Sequence, residues 1–221
     1  MLIDIQDLGT TDYEKTWDYQ RKLHNQLIEN RKEGIKNSFC YLLLTEHFPV
    51  ITLGKHAKLE NVLFPEASLK EKDIKVFKIE RGGDVTYHAP GQLVVYPIID
   101  IEQFNLGVKK YVTLLEETVI RTLQQFNIEA HRKDNAPGVW IGEGSKERKI
   151  CALGIKCNRF CTLHGIALNV NIDLNGFSMI NPCGFTDRGV TSMEKERGEK
   201  IDIKKVKETF SHIFLSLIFS F

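Results

Sequence analysis

The period of the apolar residues changes along this chain, and the order of the changes restricts the folds that it can adopt. Three segments repeat apolar residues every three or four positions, which is the period of an amphipathic α-helix. Between them lie short runs with the character of β-strands. Strands in clusters, with helices near the start, the middle and the end, favour an α+β fold over a regular alternation of strand and helix.

The three helices can be placed from their apolar stripes. The first is predicted to begin at a capping box, Thr11-Asp12-Tyr13-Glu14, to run to about Arg31, and to bury Trp17, Leu23 and Leu27. The second stripe consists of Val108, Val112, Leu115, Val119, Leu123 and Phe126. The third follows Asp202 as its N-cap and consists of Ile203, Val206, Phe210, Ile213 and Leu217.

Seven runs are predicted to be strands: residues 39–44, 50–53, 74–79, 93–99, 139–142, 149–156 and 165–172. The last alternates most clearly, with Ile166 and Leu168 on one face and Ala167 and Asn169 on the other. No internal repeat or Pro/Ser/Gly-rich linker divides the chain, so a single domain over residues 1–221 is expected.

Composition excludes several classes of protein. The 221 residues are 42% hydrophobic and 27% charged, with a net charge of +1, so no overall field favours nucleic acid or a membrane surface. The first residues do not resemble a signal peptide, and the apolar run over residues 213–221 is far shorter than the ~20 residues of a membrane span. Five cysteines without disulfide spacing indicate a reduced, cytoplasmic protein. Two basic clusters, Lys55 with Lys58 and Lys70 with Lys72, Lys75 and Lys78, are either docking patches or solvated faces.

A glycine-rich segment near the middle of the chain is the first candidate binding site. It reads Arg81-Gly82-Gly83-Asp84-Val85-Thr86-Tyr87-His88-Ala89-Pro90-Gly91-Gln92. Glycine lets a ligand approach the backbone closely, and Pro-Gly indicates a turn. A polar hairpin turn is the alternative, but a turn alone does not require so many charged and polar side chains.

Cys183 is the candidate nucleophile, because it lies in Ile180-Asn181-Pro182-Cys183-Gly184-Phe185, a turn-like segment that presents the thiol. Cys40, Cys151 and Cys157 lie in apolar, strand-like surroundings typical of buried structural cysteine. A zinc site made of Cys151, Cys157, Cys161 and His164 is the alternative, but the spacing matches none of the usual zinc patterns.

A reactive thiol needs a nearby positive charge, because the thiolate is the attacking species. The run Lys149-Ile150-Cys151-Ala152-Leu153-Gly154-Ile155-Lys156 offers two lysines. In a regular strand Lys149 shares a face with Cys151, whereas Lys156 lies on the other face with Ala152. Alternation alone does not decide between the two lysines.

Taken together, four stretches resemble the lipoyl(octanoyl) transferase family. They are residues 81–92, Lys149-Ile-Cys-Ala-Leu-Gly154, His164-Gly-Ile-Ala-Leu-Asn-Val-Asn171 and Asn181-Pro-Cys-Gly184, in family order. The resemblance implies an α+β fold of mixed, largely antiparallel sheets flanked by helices, similar to the catalytic domain of biotin and lipoate protein ligases.

The resemblance also implies a reaction. The family transfers an octanoyl group from octanoyl-acyl carrier protein to a lysine of lipoyl domains, which belong to 2-oxoacid dehydrogenase complexes and the glycine cleavage H protein. By residue match, Cys183 is the nucleophile and Lys149 lowers its pKa. The substrate-binding residues implied are Arg81, Gly82, Gly83, Asp84, Val85, Thr86, Tyr87, His88, Ala152, Leu153, Gly154, Gly165, Ile166 and Ala167.

The implied chemistry suits these residue types. A thiol with a pKa of ~8.5 is mostly protonated at neutral pH, and an ammonium beside it favours the thiolate. Backbone N–H groups near Gly82, Gly83 or Gly165 are candidate donors to the oxyanion. The thioester supplies the activation, so no cofactor or metal is expected. Two rivals remain: an ATP-dependent lipoate or biotin ligase on the same fold, against which Cys183 counts, and a non-catalytic module that binds the carrier or the lipoyl domain.

Overall fold

A computed structural model describes residues 3–35, 38–181 and 189–220 of the chain. The strands within those ranges are β1 (Ile3–Thr11), β2 (Cys40–His47), β3 (Val50–Leu53), β4 (Lys75–Lys78), β5 (Val85–His88), β6 (Gln92–Ile98), β7 (His131–Arg132), β8 (Gly138–Ile141), β9 (Arg148–Asn158), β10 (Cys161–Asn169) and β11 (Gly189–Val190). The α-helices are α1 (Tyr13–Lys32), α2 (Glu66–Glu71), α3 (Val108–Gln125), α4 (Met193–Arg197) and α5 (Ile203–Ser220).

The strands of the described ranges form two sheets. The main sheet has the order β1-β2-β6-β10-β9-β8-β7, with β11 beside β9, and the small sheet has the order β4-β3-β5. The parallel pairs are β1 with β2, β3 with β4 and β9 with β11, and the other pairs are antiparallel. The prediction of an α+β fold with mixed, largely antiparallel sheets flanked by helices is confirmed.

Every predicted strand overlaps an observed one, and the three predicted helices are α1, α3 and α5. Strands β1, β5, β7 and β11 and the short helices α2 and α4 were not predicted from the sequence. Strand β1 was missed because it lies at the edge of the main sheet, where its polar residues face solvent. Strand β5 was assigned to the glycine-rich loop because it lies inside residues 81–92, between two glycines and a Pro-Gly turn signal.

The predicted start of the first helix is wrong by one residue. The N-cap is Asp12, whose side chain accepts a hydrogen bond from the backbone N–H of Lys15 at 3.2 Å. Thr11 is instead the last residue of β1, and its hydroxyl lies 2.8 Å from that of Thr45. Threonine and aspartate are both good caps, so the sequence pattern alone was ambiguous.

The two faces of the main sheet pack against different elements. Helices α3 and α5 cover one face, where Leu115, Val119 and Phe210 are fully buried. Helix α1 packs on part of the other face, where Leu27 contacts the cluster that contains Val94. The small sheet lies over the rest of that face, and residues of both sheets line one cavity. None of the helices in the described ranges combines the length and the apolar character that a membrane crossing requires.

Candidate active site

A cavity of about 380 Å³ lies between the two sheets and collects residues from distant parts of the sequence. The predicted site residues that line it are Arg81, Gly82, Gly83, Asp84, Val85, Thr86, His88, Lys149, Ala152, Leu153, Gly154, Gly165, Ile166 and Ala167. The fold therefore brings three of the four motif stretches to one place. Their roles in binding and catalysis stay predictions.

Two predicted residues are not among those that line the cavity. The ring of Tyr87 packs edge-on against Phe177 at 5.7 Å and is buried in the core beneath the small sheet. Cys183 belongs to residues 182–188, which lie outside the described residues. The described residues on either side are close to the site: Phe177 and Val190 line the cavity, and Val190 pairs with Lys149.

Arg81 fixes the glycine-rich loop to the small sheet. Its guanidinium donates to the carbonyl of Thr52 at 2.8 Å, to the Thr52 hydroxyl at 3.0 Å and to the carbonyl of Gly82 at 3.0 Å. The N–H of Gly82 donates to the carbonyl of Ile155 at 2.9 Å, which ties the loop to β9. That N–H is therefore not available to an oxyanion in this geometry. Gly83 follows at φ +84°, which favours glycine.

Asp84 links the loop to the chain that leads toward Cys183. One carboxylate oxygen of Asp84 accepts from the side-chain amide of Asn61 at 2.6 Å, and the other accepts from the N–H of Val85 at 2.8 Å. The carbonyl of Asn61 accepts from the N–H of Asn181 at 2.8 Å. The glycine-rich loop and Asn181, which follows the 3₁₀ helix Leu174–Met179, are therefore both held by Asn61.

Lys149 reaches the cavity because β9 contains a β-bulge. The pairing between β8 and β9 shifts by one residue at Ile150, which is left without a partner. Ile150 and Cys151 consequently both pack in the core under α3 and α5, whereas Lys149 and Ala152 line the cavity. The regular alternation assumed from the sequence, which put Lys149 on the face of Cys151, is wrong at this point.

Polar and aromatic groups surround the Lys149 ammonium. Its Nζ donates to the carbonyl of Pro137 at 3.4 Å and lies 4.6 Å from the centre of the Trp140 ring. Both contacts favour a cation. The half-buried position of Lys149 therefore comes with groups that support its charged form.

Glu116 on α3 holds the first residue of β8, beside which the Lys149 side chain passes. Its Oε1 accepts from the N–H of Gly138 at 3.0 Å, and the Cε of Lys149 is 3.6 Å from the place that a Cβ on Gly138 would occupy. Burial raises the pKa of Glu116, while that hydrogen bond and the charges of Arg132 and Lys149 oppose the rise. Glu116 could not be identified from the sequence, because it lies on a helix with no motif around it.

The second lysine of β9 points elsewhere. The Nζ of Lys156 lies 3.7 Å from one oxygen of Glu80, and the Nε2 of His164 lies 3.7 Å from the other. The interaction with the nearby His164 ring is the largest cause that lowers the pKa of Glu80, to about 2. Lys156 is not among the described residues that line the cavity, so the structure separates the two lysines that alternation left open.

A buried hydrogen-bond network supports the cavity at the end near Lys149. The Nδ1 of His88 lies 2.7 Å from Oε1 of Gln92, whose Nε2 donates to Oδ1 of Asn169 at 2.9 Å. Asn169 in turn donates to the carbonyl of Thr191 at 2.9 Å. Burial lowers the pKa of His88 to about 3, so His88 is neutral at physiological pH. The ring of Tyr13 stacks on the His88 ring, with 6.0 Å between the ring centres. Sequence patterns gave no signal for Tyr13.

The other cysteines are structural where the structure describes them. Cys40, Cys151 and Cys161 are buried and Cys157 is half-buried. Burial raises the pKa of all four thiols, which makes them poor nucleophiles. In residues 3–35, 38–181 and 189–220, no three His, Cys, Asp or Glu side chains are grouped so that they could hold a metal ion.

The fold is that of lipoate and biotin protein ligases. A bipartite lipoate protein ligase from Thermoplasma acidophilum matches with a TM-score of 0.71 at 17% identity, over 99% of this chain and 84% of that chain. Biotin protein ligase from Aquifex aeolicus matches with a TM-score of 0.54 at 14% identity, over 99% of this chain and 69% of that chain. At these identities the likeness concerns the fold alone.

The chain belongs to the lipoyl protein ligase A/B catalytic domain family, whose model matches residues 12–215. It is similar to an octanoyltransferase from Parabacteroides distasonis, 44% identical over 213 residues that cover 96% of each chain. It is also similar to an octanoyltransferase from Porphyromonas gingivalis, 46% identical over 211 residues that cover 95% of this chain and 43% of that longer protein. The family predicted from the four motif stretches is confirmed.

Proposed function

We propose that this chain is an acyltransferase that moves an octanoyl group from octanoyl-acyl carrier protein to a lysine of a lipoyl domain, a step of protein lipoylation. The similar proteins named octanoyltransferase support the transfer. The observation that carries the proposal is that Lys149 and the residues of the glycine-rich loop line one cavity. We propose residues 1–221 as one catalytic domain, with lipoyl domains of 2-oxoacid dehydrogenase complexes and the glycine cleavage H protein as acceptors.

In the first step the thiolate of Cys183 attacks the carbonyl carbon of the donor thioester. The bond between that carbon and the phosphopantetheine sulfur breaks, and the octanoyl group stays on Cys183 as a new thioester. Lys149 has two roles in this step: its charge stabilises the Cys183 thiolate, and its ammonium then protonates the departing phosphopantetheine thiolate, which leaves Lys149 neutral.

In the second step the neutral amine of the acceptor lysine attacks the octanoyl-Cys183 carbonyl. An amide bond forms, the carbon–sulfur bond breaks, and Cys183 returns to the thiolate. The proton released by the amine passes to Lys149, which was left neutral by the first step. Lys149 therefore loses one proton in the first step and regains one in the second, and the net reaction converts one thioester into one amide.

The first test is transfer without ATP. Purified protein, octanoyl-acyl carrier protein and a lipoyl domain are mixed in the absence of nucleotide, and octanoylation of the lipoyl domain is followed by mass spectrometry. We expect transfer, and we expect Cys183→Ala to abolish it and Cys183→Ser to leave at most a trace. Transfer that requires ATP would identify a ligase, and an intact protein that binds the donor without transfer would identify a binding module.

The second test compares the two lysines of β9. Lys149→Ala should raise the pH at which Cys183 reacts with iodoacetamide, because the thiolate loses the ammonium that stabilises it. Lys156→Ala is the matched control, since Lys156 faces Glu80 rather than the cavity. The modified cysteine is identified by peptide mapping. A larger shift for Lys156→Ala than for Lys149→Ala would contradict the assignment.

A further inference from the structure

One backbone amide lies between the ammonium of Lys149 and a buried carboxylate. The carbonyl oxygen of Pro137 accepts a hydrogen bond from Nζ of Lys149 at 3.4 Å. The N–H of the next residue, Gly138, donates to Oε1 of Glu116 at 3.0 Å. The carbonyl and the N–H belong to the same planar amide and point in opposite directions. The negative end of the amide dipole therefore faces the cation, and the positive end faces the anion.

The backbone around this amide has little freedom to turn. Gly138 lies at φ +121°, and a Cβ there would be 2.5 Å from the carbonyl oxygen of Cys151 on the neighbouring strand. The indole N–H of Trp140 donates to the carbonyl of Ala136 at 3.0 Å, which fixes the chain on the other side of the amide. The carbonyl of Pro137 consequently keeps its direction.

The negative charge of Glu116 is not needed for the backbone hydrogen bond. Glu116 is 7% exposed on α3, so its carboxylate is largely removed from water. Burying a charge costs free energy, which raises the pKa of the Glu116 carboxyl group. A glutamine in the same place would accept the same hydrogen bond from Gly138 without that cost. Support of β8 therefore does not explain the carboxylate, whereas an effect of its charge on Lys149 does.

Other charged or titratable groups come from the elements packed around the amide. These side chains are Arg132, Glu117, Lys133, Glu147 and Cys151. Nε of Arg132 on β7 lies 3.7 Å from Oε2 of Glu116, so the guanidinium compensates part of the carboxylate charge. Glu116 is joined to Lys149 more directly, by an amide that binds a charged group at each end.

We propose that Glu116 is a positioning residue for Lys149 and acts through the amide between Pro137 and Gly138. Hydrogen bonds to charged groups at both ends polarise an amide, so each of the two bonds strengthens the other. The carboxylate thereby fixes the carbonyl that orients the ammonium, and it increases the affinity of Lys149 for its proton. In the proposed reaction this affinity keeps Lys149 charged beside the thiolate and lets it accept the proton of the attacking amine. The catalytic part of this inference rests on the proposed function.

The effect on Lys149 can be measured without any acyl donor. The Cε signal of Lys149 is followed by NMR in protein that contains ¹³C-labelled lysine, and it is identified by its absence from Lys149→Arg. We expect Glu116→Gln to lower the midpoint of the Lys149 titration by about 0.5–1 pH unit, because it removes an anion roughly 8 Å from the ammonium.

Glu117→Gln is the matched control for the titration. It removes the neighbouring carboxylate of α3, which binds the same arginine but does not bind the amide. Because Glu117 is nearer to solvent, the control should move the Lys149 midpoint by less than about 0.2 pH unit. Equal shifts in the two variants, or no shift in Glu116→Gln, would overturn the inference.

The second measurement is the rate at which Cys183 gains an octanoyl group from octanoyl-acyl carrier protein in a single turnover without acceptor. Glu116→Gln should lower the maximal rate by about threefold to tenfold, because Lys149 loses both orientation and proton affinity. The donor concentration at half-maximal rate should stay unchanged, since Glu116 is not among the described residues that line the cavity. Glu117→Gln should change neither value. A loss confined to donor binding would contradict a positioning role.

The two measurements separate this inference from the proposed function. If the wild type gains no octanoyl group, the proposed function fails, while the Lys149 titration still decides whether Glu116 acts on the Lys149 proton. If thermal melting shows that Glu116→Gln does not fold, Glu116→Asp keeps the charge on a shorter side chain. We expect that variant to lose acylation rate while its Lys149 midpoint stays within about 0.3 pH unit of the wild type. Acylation at the full wild-type rate by Glu116→Asp would overturn the inference.

Discussion

The two faces of the main sheet differ in how completely their side chains fill the space against the neighbouring elements. Under α3 and α5 the space is filled, and Leu115, Val119 and Phe210 have no exposed surface. On the opposite face the central positions hold Ala152 and Ala167, and a cavity of about 380 Å³ remains. The filled face supplies stability, because stability depends on apolar area removed from water. The face with small residues gives up some of that stability to leave room for a ligand.

The largest effect on stability should come from the filled face. Phe210→Ala removes a fully buried ring that stacks on Phe214 at 6.2 Å, and it should lower the free energy of unfolding by about 4 kcal/mol. Urea denaturation measures the change. Val108→Ala, on the 46% exposed end of the α3 stripe, is the control and should cost less than about 1 kcal/mol. Similar decreases in the free energy of unfolding for the two variants would contradict the claim that the filled face supplies most of the stability.

The filled face was also the part of the fold that the sequence predicted best. Apolar residues at a spacing of three and four have one physical meaning, burial of a helix face, and Val119 and Phe210 are buried as the stripes required. Strand β1 could not be found in the same way, because an edge strand buries little and its sequence keeps few apolar residues.

The cavity was predictable only in part. Most of the site residues that the motif resemblance implied do line the cavity. The side chain of Tyr87 does not, because alternation in β5 directs it into the core. The position of Lys149 depends on a β-bulge at Ile150, which the alternation of residues in the sequence does not predict. Supporting residues such as Glu116 and Tyr13 come from distant helices, and only the tertiary fold brings them to the site.

Acid should weaken the cavity-bearing face. Burial lowers the pKa of His47 to about 4, whereas an unfolded histidine titrates near ~6.5. Above pH ~6.5 both states are neutral and the contribution to stability is complete; as the pH falls further, the unfolded chain binds a proton that the folded chain does not. We expect the protonation of His47 in the unfolded chain to lower the free energy of unfolding by about 3 kcal/mol at pH 4.

Urea denaturation between pH 7 and pH 4 measures this loss. His47→Gln should make the dependence on pH shallower by the share of one histidine, because His88, whose pKa is also lowered by burial, still binds a proton in the unfolded chain before it does in the folded one. His212→Gln, at an exposed position of α5, is the control and should leave the slope unchanged. A slope that survives in His47→Gln at full size would show that other groups cause the acid sensitivity.

The smallest effect concerns the helix that borders the cavity. Asp12→Ala removes the N-cap of α1 and should lower the free energy of unfolding by about 1 kcal/mol, because the N–H of Lys15 loses its acceptor. Asp12→Asn keeps a capping side chain and should stay close to the wild type. Equal losses for both variants would indicate that the charge of Asp12, 3.7 Å from Lys75, matters more than its hydrogen bond.

The most direct test of the catalytic proposal is the mass of the intact protein after incubation with octanoyl-acyl carrier protein and no acceptor. We expect the wild type to gain one octanoyl group, peptide mapping to place it on Cys183, and a lipoyl domain added afterwards to remove it. Cys183→Ala should gain nothing. An adduct of equal yield on the alanine variant, or no adduct on a wild type that transfers octanoyl without ATP, would contradict a cysteine thioester intermediate.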